Sequence, residues 1–240
     1  MEFELIEEKS AFFFSATDTL MTYKGGREGI LVDALKELGI QITVPQAKIG
    51  FLATELQIST RGYTIKPKEE REKLLNDFSK AVISNCGIKD DGRIAAFVAN
   101  RFRSSDIWIA YPDAEPTLKS LKKRGCILGV IANGERIIRE ALRKLSLSQY
   151  LDDITLSEEA GVEKPDPRIY QMVIEKFGLR PQECVFVGDT IDVDLRGARM
   201  AGMSAVWIDR NRLAKRVGDI TKIEVLTDVE FIFPIKAVKN

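Results

Sequence analysis

The sequence predicts an α/β protein built on a parallel sheet, with an all-helical domain inserted into it. Three observations lead to this fold class. From residue 107 onward, short apolar runs alternate with helical segments, and each run is continuously apolar, as in strands buried on both faces. Another apolar run, Ala11–Phe14, lies near the start of the chain. Between that run and residue 107, only helical periodicity is found.

The elements of the sheet region follow one another in a regular order. They are a strand over 11–14, a helix over 117–124, a strand over 126–132, a helix over 137–145, a strand over 153–156, a helix over 168–177, a strand over 184–187, a helix over 193–201 and a strand over 204–208. The apolar tail at 223–234 predicts a final strand or short helix. Asp192 is predicted to be the N-cap of the helix that begins at Val193.

The inserted region is predicted from four apolar stripes at helical spacing. They are Leu31, Ala34, Leu35 and Leu38; Ile49, Leu52 and Leu56; Leu74, Phe78 and Val82; and Ile94, Phe97 and Phe102. Breaks at Gly25–Gly26 and Ser104–Ser105 bound the insertion. The sequence therefore predicts one domain formed by residues 1–22 and 105–240 and a helical domain over 23–104.

Composition excludes several classes of function. Lys+Arg and Asp+Glu both number 36, so no net charge attracts nucleic acid or an anionic membrane. No apolar run approaches the ~20 residues that span a bilayer, and the first residues are acidic, so we expect a cytoplasmic protein. The sequence contains no histidine, which excludes Ser-His-Asp catalysis and His-ligated zinc. The three cysteines are expected to be reduced, with Cys126 and Cys184 packed in the interior.

Side chains at strand ends indicate where a ligand would bind. Ser15, Ala132 and Asp189 each follow a predicted strand, and ligands of parallel sheets bind outside the carboxyl ends of the strands. Each residue also has a simpler interpretation: Ser15 and Ala132 are small enough for tight strand ends, and an acid such as Asp189 suits a helix N-terminus. The decision between these interpretations depends on the wider sequence pattern.

Four segments in chain order supply that pattern. They read FFFSATDTL at 12–20, VIANG at 130–134, GVEKPDPRIY at 161–170 and VGDTIDVD at 187–194. Together they resemble the four motifs of the haloacid dehalogenase (HAD) superfamily, and they extend over nearly the whole chain. The resemblance implies a Rossmann-like core, with the helical insertion as its cap domain. The Gly188, Asp189 and Asp194 set is similar to that of the magnesium-dependent phosphatase type.

The resemblance also implies a role for each matching residue. The activity would be Mg²⁺-dependent hydrolysis of a phosphate monoester, and the partner a small phosphorylated metabolite rather than nucleic acid or a membrane. The implied catalytic positions are Ser15, Thr17 and Lys164; the phosphate-binding positions are Ala132, Asn133 and Lys164; and the metal positions are Asp189, Asp194 and Thr17. Carboxylate oxygens suit Mg²⁺, and the lysine supplies a point charge for the phosphoryl group.

The sequence departs from the family pattern at the reacting centre. The family has an aspartate nucleophile where this chain has Ser15, and its phosphatases have a second aspartate where this chain has Thr17. Ala132 lacks the hydroxyl that the family uses to hold the phosphoryl group. A serine hydroxyl has no charge, and without histidine it has no imidazole base to activate it. We therefore expect weak or no turnover.

Two origins of Ser15 remain open: a change introduced into an active enzyme, or a native pseudoenzyme. Ala132 favours the second origin, whereas the retained Lys164, Asp189 and Asp194 weigh against it. The corresponding function from another class is a non-catalytic module that binds a phosphorylated ligand. A 2-haloacid dehalogenase is disfavoured. Such enzymes need no magnesium, whereas Gly188, Asp189 and Asp194 are similar to the set of the metal-dependent phosphatases. A structural protein that uses the surface of the helical domain is a further alternative.

Overall fold

Strand β1, Ala11–Phe14, lies within a six-stranded sheet in which every pairing is parallel. The computed structural model describes residues 8–58, 68–215 and 218–236. The sheet has the order β5-β4-β1-β6-β7-β8, and Phe14 lies opposite both Val130 of β4 and Val187 of β6. The other strands of this sheet are β4, Ile127–Ala132; β5, Asp153–Leu156; β6, Cys184–Gly188; β7, Ser204–Ile208; and β8, Thr221–Ile223.

The chain divides into two compact units. One consists of Met1–Thr22 and Ile109–Asn240, which we call the core unit, and the other of Tyr23–Trp108, which we call the helical unit. The short strands β2, Met21–Tyr23, and β3, Trp108–Ala110, pair where the chain passes from one unit to the other. The predicted α/β fold with a parallel sheet is confirmed.

Helices flank the sheet of the core unit. They are α5, Ala114–Lys123; α6, Ile137–Lys144; α7, Ser157–Ala160; α8, Pro167–Lys176; α9, Arg196–Met200; and α10, Val229–Ile232. The β1 side chains are fully buried. Packing is tight enough that a Cβ at Gly129 would lie 2.8 Å from the Phe13 ring. Both predicted interior thiols, Cys126 and Cys184, are buried and unpaired.

The connection after β6 differs from the sequence prediction. Where a continuous helix over 193–201 was expected, a π-helical turn, Ile191–Leu195, leads into α9. Thr190 is the N-cap and Asp192 lies inside the turn, so the prediction that Asp192 caps this helix is wrong. The Thr190 carbonyl accepts from the Asp194 amide at 2.7 Å and also from the Leu195 amide at 3.4 Å, and the second bond has the five-residue spacing of a π-turn. The Thr190 amide in turn donates to the Asp194 carboxylate at 3.1 Å.

The helical unit consists of α1, Gly26–Glu37; α2, Val44–Ile58; α3, Lys68–Asn85; and α4, Arg93–Phe102. Its core includes Leu31, Leu35, Phe51, Val82 and Ile83. The four stripes predicted from the sequence fall on these helices, with Leu38 as the C-cap of α1. Among the described residues, no helix is both long and apolar enough to cross a membrane.

The apolar stripe of α2 does not face the core of its own unit. Ile49, Leu52 and Leu56 are 61%, 54% and 66% exposed, whereas Ala47 and Phe51 are buried. Periodicity alone predicts the helix correctly but not which face packs. The packed face is set by small residues, since a Cβ at Gly50 would clash with Cys86 Sγ.

Candidate active site

The candidate site lies at the carboxyl ends of β1, β4 and β6, which are neighbours in the sheet. Ser15 follows β1 directly and is buried, and its amide donates to the Val187 carbonyl at 2.8 Å. The strand ladder thus extends one residue beyond β1 and fixes the Ser15 backbone. Ala132 ends β4 and is buried, and Asp189 follows β6 and is half-buried.

Lys164 brings its ammonium group to Ser15 although the two residues are 149 positions apart. Lys164 Nζ donates to Ser15 Oγ at 3.1 Å and to Asp194 Oδ1 at 2.5 Å, and it lies 5.4 Å from the centre of the Phe186 ring. The lysine is 4% exposed, so water hardly screens these contacts. The group nearest the Ser15 hydroxyl is therefore an ammonium that is already paired with Asp194 and that donates a hydrogen bond to Ser15.

The backbone of Lys164 is held by the Asn133 side chain. The Lys164 amide donates to Asn133 Oδ1 at 2.7 Å, and Asn133 Nδ2 donates to the Lys164 carbonyl at 2.9 Å. Because Asn133 follows β4, this reciprocal pair fixes Lys164 relative to the sheet. The residue after Asn133 is also held, since the Gly134 amide donates to Ser157 Oγ at 3.0 Å.

Asp194 is almost fully buried and is saturated with partners. Its Oδ1 accepts from Lys164, its Oδ2 accepts from the Thr190 amide, and its carbonyl accepts from the Tyr170 hydroxyl at 2.8 Å. A Cβ at Gly188 would lie 2.5 Å from Asp194 Oδ2, so only glycine fits there. Burial, reinforced by the Asp194 charge, raises the pKa of Tyr170. Tyr170 is therefore a neutral hydrogen-bond donor.

Asp189 lies in an environment that disfavours its negative charge. Burial raises the pKa of this carboxyl, and the nearby charges of Asp194 and Asp18 raise it further, to about 7, while Lys164 acts in the opposite direction. The Asp189 carbonyl accepts from Trp207 Nε1 at 2.9 Å, which ties the end of β6 to β7. A group whose charge is opposed by other carboxylates is suited to binding a cation.

Asp18 is a site neighbour that the sequence analysis missed. Its φ of 54° is in the left-handed region, where non-glycine residues are uncommon. Asp18 Oδ1 accepts from Thr22 Oγ1 at 2.9 Å and from the Tyr111 hydroxyl at 3.4 Å. Its position next to Thr17 in the sequence could have indicated it. Both residues lie in a tight turn, in which Thr17 forms an isolated β-bridge with Met21.

Arg210, just beyond the end of β7, holds the same turn from the other side. Its Nη2 donates to the Thr19 carbonyl and its Nη1 to Asp113 Oδ2, both at 2.6 Å. Its guanidinium carbon lies 4.0 Å from the centre of the Tyr111 ring. The turn after Ser15 is therefore fixed by charged and aromatic contacts that no motif in the sequence indicates.

The predicted site residues thus fall into two groups. Ser15, Lys164, Asp194 and Asn133 are joined by direct hydrogen bonds. Asp189 interacts with Asp194 and Lys164 through charge, Ala132 directly precedes Asn133, and Thr17 lies two residues after Ser15. Across residues 8–58, 68–215 and 218–236, no three acidic or cysteine side chains approach closely enough to enclose a metal ion.

Comparison with known proteins provides independent information. The family description "haloacid dehalogenase-like hydrolase" matches residues 10–202. A phosphoserine phosphatase from Thermus thermophilus is 37% identical over 131 residues, which cover 51% of this chain and 53% of that protein. An (S)-2-haloacid dehalogenase 4A from Burkholderia cepacia is 38% identical over 102 residues, covering 42% and 44%. The chain spans about half the length of the curated relatives it matches.

A solved structure resembles the chain over a greater length. The HAD-hydrolase YfnB from Bacillus subtilis, bound to magnesium, superposes with a TM-score of 0.77 at 19% identity, covering 95% of this chain and all of that one. At this identity the likeness concerns the fold alone.

Proposed function

Because the chain belongs to the haloacid dehalogenase-like hydrolase family, we propose that it derives from an Mg²⁺-dependent phosphate-monoester hydrolase and that Ser15 makes it weakly active or inactive. The substrate or ligand is a small phosphorylated metabolite, as the name of the phosphoserine phosphatase relative suggests. The proposed domains are a core of residues 1–22 and 105–240 and a substrate-selecting helical cap of residues 23–104. The division of the chain into a core unit and a helical unit supports this organisation.

One observation carries the proposal: the buried Lys164 ammonium lies between Ser15 Oγ and Asp194. A buried lysine is costly unless it is paired, and here the pair is directed at the end of β1. That placement suits a group that neutralises charge on a phosphoryl oxygen next to Ser15. In this proposal Asn133 and nearby backbone amides also bind phosphate, whereas the Ala132 methyl group cannot.

The residues present fit a weakly held magnesium ion. Asp189 offers the more available carboxylate: its Oδ2 accepts from the Thr190 hydroxyl at 3.2 Å, whereas both Asp194 oxygens are used by Lys164 and the Thr190 amide. We assign Asp189 as a direct ligand, Asp194 as the residue that orients the site, and Thr17 as a neighbouring ligand position. Mg²⁺ commonly uses one or two carboxylates together with water and substrate phosphate. When bound, it would neutralise charge on the transferring phosphoryl group.

Ser15 determines the chemistry that remains. Its hydroxyl accepts a hydrogen bond from Lys164, and that lysine is itself paired with Asp194, so it is poorly placed to remove the serine proton. Thr17 cannot protonate a leaving alcohol as a carboxylic acid can. The remaining groups bind and orient a phosphoryl group without an efficient nucleophile.

Phosphate release from a panel of phosphomonoesters tests this proposal. The chain, Ser15→Asp and Ser15→Asn are compared with Mg²⁺ and with a chelator. Turnover by Ser15→Asp alone, and only with Mg²⁺, supports the phosphatase assignment, because Asn has the size of Asp but not its charge. Equal turnover by all three proteins would contradict the role given to Ser15.

A second experiment distinguishes a metal-dependent site from a metal-independent one. We expect Mg²⁺ to raise the melting temperature of the chain and Asp189→Ala to abolish that rise. The control is Asp219→Ala, a change at an exposed carboxylate far from the site in sequence. The absence of any Mg²⁺ response would contradict the metal assignment.

The alternative function is a non-catalytic binder of phosphorylated ligands that uses the same groups. The retained Lys164 and Asp194 pair favours it, since a buried ion pair has a desolvation cost that binding can offset. Binding without turnover by both the chain and Ser15→Asp would favour this alternative. Dehalogenation is the less favoured activity. Because one relative is a dehalogenase, halide release from a 2-haloacid is the assay that tests it.

A further inference from the structure

One face of α2 carries exposed apolar side chains. Ile49, Leu52 and Leu56 are each more than half exposed, and Val44 is 52% exposed. Such residues occur singly on most surfaces, but a contiguous apolar stripe marks an interaction site. Because Ala47 and Phe51 bury the opposite face of α2, the stripe is not needed to hold the helix in its own unit.

The spacing of the stripe is that of a helix–helix contact. Exposed positions recur at Pro45, Ile49, Leu52 and Leu56, with intervals of four, three and four residues. Pro45 lies in the first turn of α2, where proline is tolerated because the amide it lacks has no partner within the helix. This 3.5-residue repeat keeps one line of side chains facing a partner helix, with Ile and Leu as interlocking residues. The partner that fits is therefore another amphipathic helix rather than a flat or extended surface.

Charges beside the stripe are self-complementary in one orientation. Lys48 is exposed on one flank, and Glu55, seven residues later, lies on the same flank with a 43% exposed side chain. If a second α2 packs antiparallel with Ile49 against Leu52 of the second copy, Lys48 lies beside Glu55 of the second copy. In a parallel pair Lys48 faces Ala53 and has no opposite charge.

We propose that this chain forms a two-fold dimer through antiparallel packing of α2 on α2 of a second copy. The contact repeats itself by symmetry, so each Ile49 meets a Leu52 and each Lys48 meets a Glu55. Within one chain the Glu55 carboxylate already accepts from Arg27 Nη1 and Nη2, so Lys48 of the second copy would be a second cation beside it. A single pair of 15-residue helices buries less than the ~1,200 Å² of a standard stable interface, so the dimer is concentration-dependent.

Sedimentation equilibrium over a concentration series tests the proposal. We expect the mass of the chain to rise toward twice the monomer mass, and Leu52→Glu to remain monomeric. Leu52 is exposed, so glutamate there does not disturb the core, and circular dichroism checks that the helices persist. The matched control is Met172→Glu, a change at a 44% exposed residue on α8, which we expect to dimerise like the parent chain.

Cross-linking tests the orientation. A mixture of Ile49→Cys and Leu52→Cys chains should form disulfide-linked dimers faster than either variant alone, because these positions face each other only in the antiparallel arrangement. Faster cross-linking of Ile49→Cys with itself would contradict that orientation. A chain that stays monomeric at all concentrations, or a dimer unaffected by Leu52→Glu, would overturn the proposal.

Discussion

Lys164 Nζ and Asp194 Oδ1 lie 2.5 Å apart, and both side chains are only 3% exposed. The pair connects the segment after α7 to the turn after β6. Its burial means that neither charge can be removed without leaving the other unpaired in the interior. The stability of the chain should therefore depend on both partners.

Asp194→Asn should lower the free energy of unfolding by about 3–5 kcal/mol, the range seen when one partner of a buried ion pair is removed. Urea unfolding at neutral pH measures the change. Asp219→Asn, which weakens the 3.5 Å contact between Arg199 and a 90% exposed Asp219, is the control and should change little. Equal effects of the two variants would show that the Lys164 pair is not structurally important.

Gly188→Ala should destabilise the chain, because the new Cβ would lie 2.5 Å from Asp194 Oδ2 and push the carboxylate away from Lys164. We expect a loss of about 1–3 kcal/mol, as for overpacking in a core. Gly29→Ala is the matched control: it lies in α1, its Cβ would have ordinary contacts, and alanine favours the helix by about 1 kcal/mol. Denaturant midpoints should therefore move in opposite directions for the two variants.

Asp18→Asn should lower the pKa of Asp189 from its value of about 7, because one of the negative charges that oppose its ionisation is removed. Asparagine tolerates the left-handed backbone at this position, so the turn should persist. Carbon-13 NMR titration of the Asp189 carboxyl measures the shift, with Asp219→Asn as a control. An unchanged Asp189 titration would mean that the Asp18 charge is fully screened.

Asp209→Asn should produce a pH-dependent loss of stability. Burial acts to raise the pKa of Asp209, but hydrogen bonds from Leu213, Lys222 and Ala214 hold it below its usual value. The stabilisation is therefore fully present above the unfolded pKa of about 4 and is lost as the pH falls through the folded pKa. We expect the melting temperature to fall by about 2–4 °C at pH 7.

At pH 3, below the unfolded pKa of about 4, the difference between Asp209→Asn and the parent chain should be smaller, because the unfolded Asp209 then binds a proton that the folded carboxyl, with its lowered pKa, binds less readily. Differential scanning calorimetry at the two pH values makes the comparison. The same difference at both values would mean that Asp209 acts through its shape rather than its charge.

Local patterns predict most of the sheet. The apolar runs at 11–14, 126–132, 153–156, 184–187 and 204–208 correspond to β1, β4, β5, β6 and β7 to within a residue. Such runs identify strands because both faces of the sheet are buried. The packed face of α2 could not be predicted, because it depends on the close approach of Gly50 to Cys86, two residues on different segments of the helical unit.

The site was predictable only in part for a similar reason. Strand ends indicate Ser15, Ala132 and Asp189, but the link from Lys164 to Ser15 spans 149 residues and leaves no local pattern. Arg210 and Tyr111 were missed because they are distant in sequence from the turn after β1. Arg210 reaches the Thr19 carbonyl and the Tyr111 ring only because the sheet brings the end of β7 close to that turn. The π-helical turn at Ile191–Leu195 has helical spacing in its sequence, so the pattern there predicts an ordinary helix.

The reciprocal hydrogen bonds between Asn133 and Lys164 make a side-chain amide act as a missing peptide group. The Lys164 backbone is thereby hydrogen-bonded to the end of β4 in the way that a neighbouring strand would be. Asp194 fixes the other end of the lysine, its ammonium group. Neither attachment involves Ser15. The residue after β1 can therefore be exchanged while the positive charge beside it keeps its place.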